Sequence, residues 1–142
     1  MKLALEEAEA AFHAGEVPVG AVLVKDGKLI AKAHNLRETS SDPTGHAEIL
    51  VLRAGTAGTT KWRLTDATLY VTKEPCIMCA GAMVNARLGR LVYGCRDEKG
   101  GGVDSLYNLL ADKRLNHQVE VASGILEKEC AEILKKFFQE RR

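Results

Sequence analysis

The spacing of apolar residues along the chain changes several times, and each change marks the boundary of a predicted helix or strand. Leu5, Ala8 and Phe12 recur on one helical face within residues 2–14, and Gly15 follows as a C-cap, so the pattern predicts a first helix. Two apolar runs follow within residues 17–35, and an Asp-Gly pair at positions 26 and 27 separates them. Such a pair is typical of the tight turn in an antiparallel hairpin.

Helical and strand patterns alternate through the rest of the chain. We predict helices over residues 46–57, 75–89, 105–113 and 124–142, and strands over residues 67–72, 90–95 and 117–123, with a glycine loop at 100–102. Asp42, Pro43 and Thr44 supply start signals for the helix at 46, and Pro75 suits the first position of the next helix. This alternation after a hairpin favours a mostly parallel α/β sheet with helices on both faces.

Composition favours one globular domain that spans residues 1–142. Of these residues, 46% are hydrophobic and 27% are charged, which is enough apolar material for a core. The formal net charge is only +1, so a polyanion would have to bind a local patch. No apolar run approaches the roughly 18 residues of a membrane span, and acidic residues interrupt the N-terminal segment, unlike a secretory signal. We therefore expect a cytoplasmic protein that does not bind a membrane.

The chain has four cysteines, and their spacing separates them into two kinds. Cys76 and Cys79 stand three positions apart, whereas Cys95 and Cys130 are isolated among apolar residues. In a reducing compartment, a Cys-x-x-Cys pair is more typical of a metal site or a redox pair than of a structural disulfide. We expect Cys95 and Cys130 to fill the core.

His46 and Glu48 stand two positions apart where a predicted helix begins, just before the apolar run Ile-Leu-Val-Leu. Burying either polar side chain alone would be costly, so each needs a partner from another part of the chain. Cys76 and Cys79, predicted in the first turn of the next helix, share one face, and the N–H groups of that turn favour thiolates. An ion near both helix ends could bind two sulfurs and one imidazole nitrogen, while the longer Glu48 side chain reaches around it.

Two thiolates and one imidazole are three ligands, and zinc usually takes four. Structural zinc sites fill the fourth position with protein, whereas catalytic sites leave it to water, and His13, His34 and His117 have no spacing that would complete the set. We therefore predict an open Zn²⁺ site in which Glu48 carries protons beside the water, although these ligands also suit other soft divalent ions. A thioredoxin-like redox role for the cysteine pair is the alternative, but it leaves His46 and Glu48 unexplained.

The His-x-Glu and Pro-Cys-x-x-Cys motifs together resemble the signature of the zinc-dependent nucleobase and nucleoside deaminases. Within that cytidine/deoxycytidylate deaminase superfamily, the chain resembles the bacterial tRNA-specific adenosine deaminases over nearly its full length, with only the extreme N-terminus short. The segments that carry this resemblance include GEVPVGAVLV, DPTGHAEI, LYVTKEPCIMCAGAMVNAR and YGCRDEKGGGVDSLYNLL. The resemblance implies a three-layer α/β/α fold of the cytidine deaminase type, with a mixed five-stranded sheet and helices on both faces.

The resemblance also implies roles for the metal and acid–base residues. His46, Cys76 and Cys79 would bind one Zn²⁺ per subunit, with a water or hydroxide as the fourth ligand, and Glu48 would be the catalytic proton carrier. The implied reaction is hydrolytic deamination of adenosine to inosine at the wobble position of a tRNA anticodon, so the partner would be a tRNA anticodon stem-loop. The family is homodimeric, which implies a homodimer here.

Three further residues are candidate substrate contacts. Asn35 matches the family asparagine that hydrogen-bonds the base, and Val19 matches an apolar residue that lines the pocket; a flipped base needs both kinds of contact. His117 is a candidate RNA contact. The ordinary alternatives are a turn residue for Asn35, a core valine for Val19 and a loop cap for His117.

Two positions depart from the family pattern. Gly45 replaces the usual Ala before the histidine and would loosen the helix start, while Lys73 replaces the usual Leu before Glu-Pro-Cys and would either point to solvent or touch substrate. The basic C-terminal positions 135, 136, 141 and 142 lie beside two phenylalanines and fit either a solvated helix end or an RNA contact. Two other functions remain open: a deaminase of free guanine or cytosine, or a zinc-stabilised RNA-binding module without turnover.

Overall fold

The computed structural model describes residues 1–57 and 59–141, and within them helices and strands alternate after an N-terminal helix and a hairpin. In chain order the elements are α1 (Lys2–His13), β1 (Gly20–Lys25), β2 (Lys28–His34), α2 (Ala47–Thr56), β3 (Ala67–Lys73), α3 (Ile77–Asn85), β4 (Arg90–Cys95), β5 (Glu120–Ser123) and α4 (Glu127–Glu140). The strands form one sheet in the order β2-β1-β3-β4-β5. β1 is antiparallel to both of its neighbours, whereas β3, β4 and β5 run parallel to one another.

The sheet is therefore mixed, and helices cover both of its faces. α1 and α4 contact each other and pack on one face, while α2 and α3 pack on the other. The three layers and the mixed sheet that the resemblance implies are confirmed. The expectation of a mostly parallel sheet is wrong for the hairpin half, because β1 lies inside the sheet and pairs antiparallel with β3.

Two local turn signals have the expected backbone conformations. Asp26 and Gly27 have φ of 53° and 72°, the left-handed values that a type I′ hairpin turn requires at both central positions. Gly15 follows α1 with φ of 79°, and the N–H of Glu16 donates to the carbonyl of Ala11 at 2.9 Å. The predicted hairpin and the predicted glycine end of the first helix are therefore confirmed.

The main core lies between the sheet and the layer formed by α2 and α3. Leu23, Leu69 and Leu91 project from β1, β3 and β4 and are fully buried. They belong to one apolar cluster with Val51 of α2 and Met83 of α3. This cluster anchors the two helices whose N-terminal ends carry the predicted metal ligands.

On the opposite face, glycines let α1 and α4 approach the sheet closely. A Cβ atom at Gly20 would lie 2.0 Å from the carbonyl oxygen of Ala4, and one at Gly94 would lie 2.4 Å from Sγ of Cys130. Cys130 and Cys95 are both buried and neither forms a disulfide, which confirms their prediction as core residues.

The start of α3 differs from the prediction. The helix begins at Ile77, so the prediction that Pro75 occupies its first position is wrong. Cys76 is instead the N-cap, with an extended backbone at φ −75° and ψ 177°, and Cys79 lies in the first turn. The two cysteines still lie at one helix end, but the first reaches it from an extended segment.

The helix predicted over residues 105–113 is also wrong, since only a single 3-10 turn forms, at Leu109–Ala111. The N–H groups at the start of the predicted helix form hydrogen bonds to carbonyl groups of the glycine loop. Those of Leu106 and Tyr107 donate to the carbonyl oxygen of Gly101, and that of Leu109 donates to the carbonyl of Gly102. In an α-helix over residues 105–113 the N–H of Leu109 would donate to the carbonyl of Ser105, so its bond to Gly102 is incompatible with that helix.

The C-terminal elements are shorter than predicted. β5 begins at Glu120, so His117 lies in the segment before it, and α4 begins at Glu127 after Leu126, whose φ is 53°. Arg142, part of the predicted basic end, lies outside the described residues. Within residues 1–57 and 59–141, no helix combines the length and apolar character that a membrane span needs.

Candidate active site

The predicted metal ligands lie at the N-terminal ends of α2 and α3. His46 is the N-cap of α2, with an extended backbone at φ −79° and ψ 148°, and Cys76 is the N-cap of α3. In both cases the side chain comes from the residue that joins a loop to the helix. The dipole and the unsatisfied N–H groups of both helix ends favour negative charge at this place.

The three ligand atoms converge on one point. Nδ1 of His46 lies 3.6 Å from Sγ of Cys76 and 3.6 Å from Sγ of Cys79. All three atoms lie within 4.8 Å of one another. A tetrahedral zinc ion with ordinary Zn–S and Zn–N bond lengths would place sulfur and nitrogen about 3.6 Å apart, so the donor set and its spacing fit that metal.

The ionisation of Cys76 also suits metal binding. The hydrogen bond from the Cys79 thiol lowers the pKa of Cys76 to about 4, and a further bond from His46 acts in the same direction. That bond to Cys76, together with burial, raises the pKa of Cys79. The bond to Cys76 likewise raises the pKa of His46. Cys76 is therefore a thiolate at neutral pH, which is the form that ligates a metal.

Glu48 lies beside the ligands, in the first turn of α2, and is only 4% exposed. Burial raises the pKa of its carboxyl, with the His46 charge acting in the opposite direction. A carboxyl whose pKa is moved toward neutral pH can both accept and donate a proton under working conditions. Its position and its ionisation therefore suit proton transfer at the metal site.

A cavity of about 240 Å³ opens onto this cluster. Its walls come from the segment before β1, the loop after β2, the starts of α2 and α3, the end of β3 and the end of α4. Besides the site residues already described, the lining includes Val17, Val19, Asn35, Arg37, Lys73, Asp97 and Phe138. Apolar and polar groups both face the space, as in most small-molecule sites.

Asn35 and Val19 line the cavity, and each also has the ordinary role considered from the sequence. The Asn35 amide donates to the carbonyl of Val17 at 3.4 Å, and its oxygen accepts from the N–H of Arg37 at 3.1 Å. Val19 is partly buried and packs against the main core. The structural and the substrate-contact interpretations are thus compatible at both positions, and the substrate contacts stay predictions.

His117 lies outside the cavity lining. Its Nε2 is 2.7 Å from the carbonyl oxygen of Leu88, a contact that fits the loop-cap alternative. A role as an RNA contact stays a prediction, and it would have to act away from the cavity.

The two departures from the family pattern have specific surroundings. Lys73 lines the cavity, and its Nζ lies 3.2 Å from Oδ2 of Asp97, so it points neither fully to solvent nor into the metal cluster. Gly45 is buried. Its N–H donates to the carbonyl of Asp42 at 3.0 Å, and its carbonyl accepts from the N–H of Leu36 at 2.9 Å, so the two bonds close a turn. These bonds hold the segment before His46 even though glycine occupies the position.

Phe138 and Arg37 are among the cavity residues that were not singled out as site residues from the sequence. Phe138 is 49% exposed, while its neighbour Phe137 is buried. Adjacent aromatic residues on one helix cannot both face the core, and that conflict was the available signal. Arg37 follows Asn35 by two positions, but only the path of the loop brings its side chain to the cavity.

Comparison with known proteins gives consistent matches along the whole chain. Residues 1–142 match the MafB19-like deaminase family. The chain is 54% identical over 142 residues to the tRNA-specific adenosine deaminase of Bacillus subtilis (strain 168), covering all of this chain and 88% of that protein.

Solved structures add two likenesses. One comes from structural work on A-to-I editing by tRNA deaminases at the wobble position of transfer RNA; it is 48% identical, with a TM-score of 0.89 over 94% of this chain and 97% of that chain. The other is the guanine deaminase from Nitrosomonas europaea, 23% identical, with a TM-score of 0.83 over 96% of this chain and 81% of that chain. The second likeness concerns the fold alone.

Proposed function

Because the chain belongs to the tRNA-specific adenosine deaminase family and also matches the MafB19-like deaminase family over its whole length, we infer that it converts adenosine to inosine in tRNA by hydrolytic deamination. The observation that carries this proposal is the convergence of His46, Cys76 and Cys79 beside the buried Glu48. The overall reaction consumes one water and releases one ammonia. The target we propose is the wobble adenosine of an anticodon stem-loop.

His46, Cys76 and Cys79 would hold one zinc ion per chain, since their spacing fits a tetrahedral site with one position left for solvent. When bound, zinc supplies a water nucleophile of lowered pKa at neutral pH. The same ligands suit other soft divalent ions, so the metal's identity is part of the proposal.

Glu48 would carry the protons of the reaction. Its carboxylate accepts a proton from the attacking water, donates it to the purine ring, and then assists the departure of the amino group as ammonia. The raised pKa of Glu48 supports this role, because each step needs the carboxyl to change its protonation state. Two cysteine thiolates donate more charge to a metal than imidazoles do, which makes a neighbouring base more important.

Asn35 and Val19 would bind the flipped base. A base outside its stack needs hydrogen bonds to its edge and an apolar surface against its face. Both residues line the cavity next to Glu48. The Asn35 amide is already oriented by backbone groups, so little side-chain freedom would be lost when the base binds.

Arg37 and Lys73 would contact the phosphates that flank the target nucleotide. The net charge of the chain is only +1, so RNA affinity has to come from cations at the site itself. Both residues line the cavity. Lys73 is held by Asp97 and remains partly exposed, so it can reach a phosphate near the cavity mouth.

A homodimer is the assembly we propose. Three apolar side chains are largely exposed: Ile77 at 56%, Leu106 at 53% and Tyr107 at 57%. They lie on neighbouring backbone segments, because the N–H of Tyr107 donates to the carbonyl of Gly101, and Gly102 packs against the backbone of Ile77. Apolar side chains grouped in this way mark an interaction surface. A cytoplasmic location and dimerisation both stay predictions, and sedimentation of the purified protein tests the second.

The function is tested by incubating the zinc-loaded protein with an anticodon stem-loop that has adenosine at the wobble position. Nuclease digestion and mass spectrometry should find inosine there, and not at other adenosines of the RNA. Free adenosine, guanine and cytosine are the matched alternative substrates. Turnover of a free compound without turnover of the RNA would favour the free-base deaminase, and RNA binding without any turnover would favour the binding module.

A further inference from the structure

Glu74 is a buried carboxylate between the end of β3 and the metal-ligand segment, and it is only 2% exposed. Both oxygens of this carboxylate accept several hydrogen bonds. Oε1 accepts hydrogen bonds from the N–H of Asp97 at 3.1 Å and from the hydroxyl of Ser105. Oε2 accepts from the N–H groups of Val103, Asp104 and Ser105 at 3.1, 2.8 and 3.0 Å. One carboxylate thus gathers both ends of the loop formed by residues 97–105.

The 97–105 loop is built closely around this carboxylate. A Cβ atom at Gly101 would lie 2.2 Å from Oε2 of Glu74, so only glycine fits there. The N–H of Gly102 donates to the carbonyl of Pro75 at 2.8 Å, and Cys76 pairs with Gly101 in an isolated antiparallel bridge. The loop and the Pro75–Cys76 segment therefore hold each other in place.

The position of Cys76 depends on both sides of its backbone. On the helix side, its carbonyl accepts the N–H of Ala80 at 2.9 Å. On the other side there is no helix, since Cys76 is an extended N-cap whose side chain makes no capping bond. The contacts of Glu74 and Pro75 with the loop fix that side, together with the bond from the N–H of Glu74 to the carbonyl of Cys95 at 2.8 Å.

We propose that Glu74 is a positioning residue for the metal centre. By binding the 97–105 loop, Glu74 holds Cys76 at the correct distance from His46. The proposal rests on the proposed function only for the identity of the metal. Residues outside the ligand set that orient ligands usually have a large effect on metal retention. Glu74 also holds Asp97, so the same carboxylate fixes one part of the cavity wall.

The chain contains a matched control for this role. Glu16 is a second buried carboxylate, and it accepts from the N–H groups of Glu38 and Thr39 at 3.1 and 2.6 Å and from the Thr39 hydroxyl. It binds residues 38 and 39 of the loop that leads to His46, so its contacts lie seven or more positions from a metal ligand in the sequence, whereas Glu74 is two positions from Cys76. The two carboxylates therefore have similar chemistry, but only one adjoins the Cys76 segment.

The test compares Glu74→Gln with Glu16→Gln in the zinc-loaded protein. Each substitution replaces one acceptor oxygen with an NH₂ group, which faces N–H donors. We expect both variants to lose stability toward urea, but only Glu74→Gln to release zinc to a chromophoric chelator faster, by about 10-fold to 100-fold. Glu16→Gln should release zinc within about twofold of the wild-type rate. Wild-type release from Glu74→Gln, or equal acceleration in both variants, would overturn the proposal.

A milder pair keeps the test decisive if either Gln variant does not fold. Ser105→Ala removes one hydroxyl bond to Glu74, and Thr39→Ala removes the equivalent bond to Glu16. Faster zinc release should again appear only on the Glu74 side, and its absence from Ser105→Ala in that case would overturn the proposal. Zinc release is measured without substrate, so a failure of the deamination assay would leave this result unaffected.

Discussion

The Sγ atom of Cys76 lies 3.6 Å from Nδ1 of His46, although the two residues are 30 positions apart in the sequence. Each residue is the N-cap of its helix, and each helix belongs to the same layer against the sheet. The packing of α2 and α3 on β1, β3 and β4 therefore determines the geometry of the metal site. Glu48 lies at the same end of α2 as His46, because it is in the first turn of that helix.

Glu48→Ala should abolish turnover without removing the metal. Glu48 is not a ligand in this account, so zinc content should stay near one ion per chain. The loss of the proton carrier should lower kcat by about 100-fold to 10,000-fold. Steady-state rates with the stem-loop RNA, together with metal analysis of the same sample, measure both quantities. Glu9→Ala, at an exposed position on α1, is the control and should keep the wild-type rate. Wild-type kcat in a zinc-loaded Glu48→Ala protein would remove Glu48 from the mechanism.

Zinc should protect two of the four cysteines from alkylation. In the zinc-loaded protein, Cys76 and Cys79 should be unreactive because both sulfurs are ligands. After chelation, Cys76 should react first and already in mildly acidic buffer, since its pKa is lowered to about 4 by the hydrogen bond from Cys79. Cys95 and Cys130 serve as internal controls, because burial raises their pKa values to about 11 and 12. Mass spectrometry of the alkylated peptides distinguishes the sites. Free reaction of both Cys76 and Cys79 with zinc present would favour a redox pair instead.

Lys73→Leu should weaken the action on RNA in a salt-dependent way. Removing one phosphate contact makes the negative slope of log affinity against log salt less steep by about 1. We also expect kcat/KM for the stem-loop to fall by about 10-fold at low salt. The control is Lys25→Leu, since Lys25 forms a similar 3.2 Å ion pair with Asp66 away from the cavity. Identical salt profiles for Lys73→Leu and the wild type would show that Lys73 does not contact RNA.

Glu16→Gln should change how stability depends on pH. Burial alone would raise the pKa of Glu16, but the hydrogen bonds from Thr39 and Glu38 outweigh it and lower the pKa below its ordinary value of 4.5. A carboxyl with a lowered pKa stabilises the fold above the ordinary value, and this contribution is lost as pH falls through the lowered pKa. The variant should therefore be less stable than the wild type at pH 7 by about 1 to 3 kcal/mol. Urea unfolding of both proteins should show this difference shrinking in acid, whereas a constant difference would exclude ionised Glu16 as its source.

The parts of the fold that depend on short-range signals could be predicted from the sequence. The Asp-Gly pair predicts the hairpin because few residues adopt left-handed φ at two successive positions, and Gly15 ends α1 for a related reason. The candidate ligands could be identified because the spacing of Cys76 and Cys79 is typical of a metal site, and because His46 and Glu48 are polar residues at the start of an apolar helix.

Features that depend on distant contacts could not be predicted in this way. Pro75 is expected at the first position of α3, but the pairing of its segment with residues 101 and 102 keeps the chain extended through Cys76. The periodicity near residue 109 predicts a helix, yet the N–H of Leu109 donates to the carbonyl of Gly102 and not to that of Ser105, as the helix would require. Phe138 lies near the end of α4, and the packing of this helix on β3 and β4 brings its side chain to the cavity.

A crystal structure of the zinc-loaded protein, with anomalous scattering at the zinc edge, tests the central claim most directly. The account predicts one zinc ion about 2.3 Å from the sulfurs of Cys76 and Cys79 and about 2.0 Å from Nδ1 of His46, with solvent as its fourth ligand beside Glu48. A fourth ligand supplied by an amino-acid side chain, or zinc bound elsewhere on the chain, would contradict it.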